Sequence, residues 1–255
     1  MRLVDTHCHF DDREFDRDRD AALARAHDAG VTRIVVPAIE FANWDAVRAV
    51  CGSHAGLVPA YGLHPLCLRA HRPSHLDALR EWIARERPVA VGECGLDYFV
   101  EGLDRDEQQG MFEAQLRIAR EFDLPVIVHA RRAVDAVIAA LRRIGGLRGV
   151  VHSFSGSPQQ AEQLWTLGFL LGLGGPVTYP RANRLRTLAA TMPIEHLLLE
   201  TDAPDQPDAE HRGERNEPMR AAAVARTIAA LRETTVEAVA EATTRNAERL
   251  FRLPA

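Results

Sequence analysis

A single α/β domain built as a (β/α)8 barrel of the TIM type is the fold this sequence predicts, on three observations. Eight short apolar runs alternate with amphipathic stretches over 255 residues, the pattern of successive βα units wound around a parallel sheet. The length matches one such barrel, typically about 250 residues. Six side chains with the donor chemistry of metal ligands, His7, His9, Glu93, His129, His152 and Asp202, follow five of those runs, and a barrel gathers residues from several strand ends at one mouth. No low-complexity linker and no repeat beyond the βα alternation divides the chain, so residues 1–255 read as one barrel domain.

The elements follow in order. Arg2 to His7 is the first strand, and the Asp/Arg alternation from Asp11 to Asp20 reads as a solvated helix face. A helix over Asp16 to Ala29 is closed by Gly30 as a left-handed cap. Arg33 to Ala38 and Leu57 to Leu63 are the next strands; Ser74, with Asp77 three residues on, has the pattern of an N-cap for a helix reaching Arg87. Val89 to Gly92 is the fourth strand, Asp106 to Phe122 a helix, Pro125 to His129 the fifth strand and Arg132 to Ile144 another helix. Gly149 to His152, Phe169 to Gly172 and His196 to Glu200 complete the eight strands, and helices over about Glu217 to Arg232 and Val236 to Phe251 close the chain.

Composition narrows the chemistry. A net charge of −5, from 31 basic against 36 acidic residues, argues against coating nucleic acid by bulk electrostatics, so a polyanionic substrate must be gripped locally. Every basic residue in that sum is arginine. Without lysine there is no Schiff base and no carboxylated lysine to bridge two metals, which leaves Glu93 as the natural bridging group. The four cysteines, Cys8, Cys51, Cys67 and Cys94, form no CxxC pair, as expected of reduced thiols in a cytoplasmic protein. Cys8 and Cys94 adjoin proposed ligands, but strand alternation points them toward the surrounding helices. No apolar run approaches the roughly 18 residues of a membrane span, no export signal is visible, and no obligate protein partner is evident.

The six ligands suit two divalent cations sharing a carboxylate, and hydrolysis by a metal-bridging hydroxide. His7 and His9 are two apart, so both imidazoles leave the first strand on one side, flanked by Asp5 and Asp11 as candidates to orient them. Glu93 lies in Gly92-Glu93-Cys94-Gly95-Leu96-Asp97, where the glycines permit a tight bend. His129 and His152 end equivalent strands and complete a second ion. Asp202 follows the last strand, which in a closed barrel adjoins the first; it is placed to bind the first ion and to pass a proton from the attacking water to the leaving oxygen. His64, in Gly62-Leu63-His64-Pro65, is either a substrate contact or a loop-packing residue. The other histidines, His27, His54, His71, His75, His196 and His211, fall in helices or loops and read as solvated.

These residues resemble the TatD-like family of metal-dependent hydrolases, many of them deoxyribonucleases. The resemblance rests on Asp5-Thr6-His7-Cys8-His9-Phe10-Asp11, Gly62-Leu63-His64-Pro65, Gly92-Glu93-Cys94-Gly95-Leu96-Asp97-Tyr98, Val128-His129-Ala130-Arg131, Val151-His152-Ser153-Phe154-Ser155-Gly156, Glu200-Thr201-Asp202-Ala203-Pro204 and Arg215-Asn216-Glu217-Pro218. It implies a barrel, two divalent metals on the six ligands, and hydrolysis of phosphodiester or related ester bonds. Arg132, where many members are acidic, and Asp205, where an aromatic or aliphatic residue is frequent, together with Gly174 to Ala182, are similar to the YjjV branch, whose substrate is less settled.

A nucleic-acid end or small phosphoester is the expected substrate. Arg131, two residues beyond His129, is the best phosphate clamp because its fork can pair two oxygens. Arg181, Arg184, Arg212 and Arg215, after the seventh and eighth strands, are further candidates at the same mouth. Imidazole-rich ligation favours Zn, Mn, Ni or Co, and the resemblance admits Mg. Two other readings use the same residues: a hydrolase of carboxylic esters, amides or lactones, including an aminoacyl-tRNA deacylase, and a catalytically silent metal-binding scaffold.

Overall fold

Eight parallel strands in the order β1 to β8 form one sheet in the computed structural model, which describes residues 1–254. The strands are β1 (Leu3–Asp5), β2 (Val31–Pro37), β3 (Leu57–Tyr61), β4 (Ala90–Asp97), β5 (Val126–Arg131), β6 (Gly149–Val151), β7 (Phe169–Leu173) and β8 (Leu197–Leu199). Between and after them run α1 (Arg19–Asp28), α2 (Trp44–Ser53), α3 (Ser74–Glu86), α4 (Arg105–Glu121), α5 (Val134–Ile144), α6 (Pro158–Thr166), α7 (Asn183–Thr191), α8 (Ala221–Leu231) and α9 (Val236–Phe251). Backbone bonds bring β8 back to β1: Thr6 N–H donates to Leu199 O at 3.0 Å, Asp202 N–H to His7 O at 2.8 Å and His9 N–H to Ala203 O at 2.8 Å. The sheet is a nearly closed barrel, as the alternation predicts.

Strand alternation divides the apolar residues in two. Val4, Val35, Ala60, Ala90, Ile127, Val150, Leu170 and Leu198 fill the barrel interior, stoppered at its N-terminal end by Leu250, Phe251 and Leu253. A larger layer, including Leu3, Val36, Val91, Val128, Val151 and Leu171 with the helices' apolar stripes, holds the outer shell. Cys8 and Cys94 belong to this outer layer, as alternation predicts. With the bottom plugged, polar residues gather at the C-terminal mouth.

Two local expectations are corrected. Ser74 is the first residue of α3 and not its cap: Pro73 is already helical at φ −52° and ψ −37°, and no side chain caps the start. Proline's fixed φ begins the turn one residue early. The fourth strand does not stop at Gly92 but runs to Asp97 with all eight residues buried. Its register against β5 shifts between Val91 and Cys94, and that irregularity re-aims Glu93 into the mouth. Gly95 is required there: at φ +143°, a Cβ would lie 2.1 Å from the carbonyl oxygen of His129, so only glycine permits the β4–β5 approach.

Candidate metal centre

All six expected ligands converge at the mouth. Glu93 Oε2 lies 3.1 Å from His7 Nε2 and 3.4 Å from His9 Nε2. Asp202 Oδ1 lies 3.5 Å from His7 Nε2 and 3.6 Å from His9 Nε2. The two imidazole nitrogens are themselves 3.3 Å apart. The other carboxylate oxygen, Glu93 Oε1, lies 3.2 Å from His129 Nδ1 and 2.8 Å from His152 Nε2, and these two nitrogens are 3.2 Å apart. Nitrogen ligands about 2.0–2.1 Å from a tetrahedral zinc sit about 3.3–3.4 Å from one another. Both donor groups therefore have the spacing of a cation's coordination shell, with Glu93 shared between them.

The outer ring nitrogens fix two tautomers. His9 Nδ1 faces Pro37 O at 3.3 Å, and a carbonyl can only accept, so the proton sits there and Nε2 offers its lone pair inward. His129 Nε2 donates to Asp97 Oδ2 at 3.0 Å, leaving Nδ1 as the inward donor atom. These are the orienting groups, not Asp5 and Asp11. Asp5 accepts from the backbone N–H of His7 at 3.2 Å and of Thr201 at 3.0 Å, tying β1 to β8; Asp11 accepts from Asn43 Nδ2 at 3.0 Å. The hydrogen bonds of Asp5 go to those N–H groups and to the Thr201 hydroxyl, so it serves strand closure.

Charge in the cluster follows from burial working against Glu93. Burial disfavours protonation of His9 and His152, but the Glu93 carboxylate outweighs it and raises them to about 9 and about 10. His7, fully buried and stacked on His152 with ring centroids 3.9 Å apart, falls to about 4. Burial opposes ionisation of Glu93, and the surrounding histidines overcome it and hold the carboxyl well below its ordinary range. Five imidazoles, those of His7, His9, His64, His129 and His152, crowd one carboxylate and are mutually repulsive once protonated, and a divalent cation removes that conflict. The donor set therefore fits metal ions.

His64 is also here. Its Nε2 lies 2.9 Å from Glu93 Oε1, and its Nδ1 accepts from the Leu66 backbone N–H at 3.1 Å. The proton is thus on Nε2 and points at Glu93, so His64 grips the shared carboxylate. Arg131 lines the cavity above, its guanidinium carbon 3.8 Å from the Phe99 ring centroid. Arg181, Arg184 and Arg212 are exposed and do not line the cavity. Arg184 instead donates to Ser155 O at 2.8 Å. Arg215 is not at the mouth's lining either: it pairs with Asp18 at 2.7 Å and Glu217 at 2.9 Å over the Phe15 ring. Those acids, far from Arg215 or nearly adjacent to it in sequence, claim its fork. Nor are the remaining histidines uniformly solvated: His71 donates to His64 O at 2.8 Å, and His196 stacks on Trp165.

Three residues were not singled out from sequence. Asp97 lies four after Glu93 on β4, an even spacing that puts both on one strand face, so a signal existed; Glu200 lies two before Asp202, but both follow β8, which ends at Leu199. Burial raises the Glu200 carboxyl to about 8. Its Oε1 accepts from the Ser153 N–H at 2.5 Å, and the space it fills exists because residue 172 is glycine, where a Cβ would lie 2.0 Å from Glu200 Oε2. Gln206 donates to Asp202 Oδ2, leaving Oδ1 toward the histidines; only the loop fold reveals it.

The model of the TatD related DNase family matches residues 4–252. The chain belongs to the TatD family. Within it, the chain is 43% identical to the uncharacterized metal-dependent hydrolase YjjV of Escherichia coli K12, over 99% of both chains. The crystal structure of that protein superposes with a TM-score of 0.94 over 99% of each chain. A TatD relative from Pantoea named as a 3'-5' ssDNA/RNA exonuclease is 34% identical over 94% of this chain and 95% of its own. The chain is a metal-dependent hydrolase of the TatD family with a TIM-type barrel. Among the described residues no helix is long and apolar enough to cross a membrane.

Proposed function

We propose that this site hydrolyses phosphodiester bonds at nucleic-acid or nucleotide ends, using two divalent cations (Zn, Mn, Mg, Ni or Co) held by His7, His9 and Asp202 on one side and His129 and His152 on the other, with Glu93 between them. The observation that carries the reading is the division of the Glu93 carboxylate, one oxygen toward each imidazole pair. Bound there, such cations supply Lewis acidity toward phosphate oxygens and acidify a water to near neutrality.

This chain's own groups do the rest. Asp202 lines the cavity with Oδ1 toward His7 and His9 and Oδ2 accepting from Gln206, so the same carboxylate would hold a cation and, through its lone pairs, take the proton of the attacking water and return it to the leaving oxygen as the phosphorus–oxygen ester bond breaks. His64 holds Glu93 in the shared orientation. Arg131, exposed at the end of β5, neutralises charge on the non-reacting phosphate oxygens. Four unpaired cysteines, two of them buried, accord with a reducing cytoplasm.

The test is nucleotide release from single-stranded DNA, with and without chelator and with each metal added back. Release that chelation abolishes and Asp202→Ala reduces by orders of magnitude is expected. Activity only on carboxylic esters or charged tRNA would replace the phosphodiester with an acyl substrate, and inactivity across that whole panel would leave a silent scaffold.

A further inference from the structure

The mouth has two unlike halves. Five large apolar residues are exposed among the described residues, and four of them, Phe41, Leu66, Phe99 and Val100, lie on the loops after β2, β3 and β4. Scattered exposed apolars need no explanation, but four on the loops after three successive strands, with Leu66 lining the cavity itself, mark a surface that something covers. At its end stands a stack: the guanidinium carbons of Arg131 and Arg132 lie 3.8 Å and 4.6 Å from the centroid of Phe99, which is 43% exposed. Arg132 sits at φ +52°, a left-handed conformation uncommon for a non-glycine residue.

The stack is also fixed relative to the chemistry. Asp97 Oδ1 accepts from the backbone N–H groups of Phe99 at 2.8 Å and Val100 at 3.0 Å, while its Oδ2 holds His129. One buried carboxylate therefore sets both a candidate ligand and the aromatic beside it. Diametrically across an eight-stranded barrel from β4 and β5 lie β8 and β1, and the lining there is acidic: Asp11, Asp12 and Asp16 after β1 and Asp205 after β8, joined by Glu40 after β2. Arg13 is the one arginine lining that half, beside the candidate ligand His9. The cavity they enclose, about 1310 Å³, exceeds the roughly 300–1,000 Å³ of a small-molecule site.

We propose that Phe99 with Arg131 and Arg132 is a stacking and phosphate-binding platform for a single strand of nucleic acid, whose body leaves over β4–β5 while only its terminal nucleotide projects toward the β8–β1 carboxylates. Guanidinium planes stacked on a part-exposed aromatic ring offer unpaired bases a sequence-tolerant π surface and their phosphates a counter-charge. Paired bases inside a duplex are stacked on both faces and cannot present one to it. The acidic half repels a second phosphate beyond the scissile one, so residues are removed singly from an end. This assignment rests on the phosphodiester reading above and names the residues that select its substrate.

The experiment uses metal-loaded protein and a fluorescently labelled oligothymidylate with hydrolysis-resistant phosphorothioate linkages, read by anisotropy. Wild type should bind the single strand and discriminate against the corresponding blunt duplex. Phe99→Ala should weaken binding about tenfold, within the range for one base–aromatic stack, and Phe99→Trp should restore it; Arg132→Ala should weaken it and flatten its salt dependence. Equal binding by wild type, Phe99→Ala and Arg132→Ala, or equal binding of duplex and single strand, would overturn the platform. Hydrolysis of bis(p-nitrophenyl) phosphate separates the two levels: if it proceeds while oligonucleotide binding ignores these substitutions, the platform fails and the phosphodiester chemistry stands. If neither that ester nor DNA is cleaved, the chemistry itself fails.

Discussion

Replacing Asp97 with asparagine exchanges one oxygen for an amide in a fully buried position. Burial opposes the charge on Asp97, but hydrogen bonds from His129, Val100 and Phe99 prevail and lower its carboxyl to about 2. Its two oxygens are divided: Oδ1 accepts two backbone N–H groups and Oδ2 accepts His129 Nε2. Asparagine keeps a single acceptor oxygen, and the two backbone donors will claim it. The amide NH2 then faces His129, which must accept with Nε2 and carry its proton on Nδ1, the atom aimed at Glu93. Restoring the ligand tautomer would set donor against donor and forfeit a charge-assisted bond worth about 1.5–3 kcal/mol. A loss of roughly 10- to 100-fold in affinity follows, the range for substitutions behind a ligand histidine. Calorimetric titration of the chelated protein with manganese or zinc should show the His129–His152 half weakened and the His7–His9 half nearly unchanged. Two unaltered binding events in Asp97→Asn, or equal weakening of both, would refute the reasoning.

Three further outcomes are expected. Because Glu93 raises His9 and His152 to about 9 and about 10 in the cation-free cluster, metal loading near pH 7 should release protons, visible as a calorimetric enthalpy that varies with the buffer's ionisation heat; a buffer-independent enthalpy would contradict it. Glu200, raised by burial to about 8, contributes stability that is fully present below its unfolded pKa near 4.5 and is lost as pH rises through 8; in urea unfolding of chelated protein, Glu200→Gln should remove a pH 5-to-8 decline on the order of a few kcal/mol. Arg215→Ala breaks a part-exposed network with Asp18 and Glu217. It should cost about 1 kcal/mol, or about 2–4 °C in Tm, with KM for phosphoesters unchanged; a raised KM with unaltered Tm would return Arg215 to substrate binding.

What could be read in the sequence was whatever local pattern determines. The β-strands announced themselves as apolar runs, and the spacing of His7 and His9 placed both rings on one side because strand geometry has a period of two. Convergence of Glu93, His129, His152 and Asp202 followed from closure of the barrel, which the βα alternation implies. The extent of β4 was hidden because Glu93, Cys94 and Gly95 interrupt the apolar pattern, although backbone pairing to β5 continues through Asp97. Partner choice was hidden too. Arg215 could be placed on a late loop, but its commitment to Asp18 depends on α1 packing nearby, nearly two hundred residues away in sequence. Gln206 on Asp202 and Pro37 O on His9 are contacts of folded loops and strand ends, with no periodic signature.

Anomalous diffraction from crystals of the metal-loaded protein, recorded at the absorption edge of the added metal, tests the central claim most directly. Two peaks are expected, one among His7, His9 and Asp202 and one between His129 and His152, with the Glu93 carboxylate ligating both. A single peak, or a Glu93 turned away from either pair, would contradict the account.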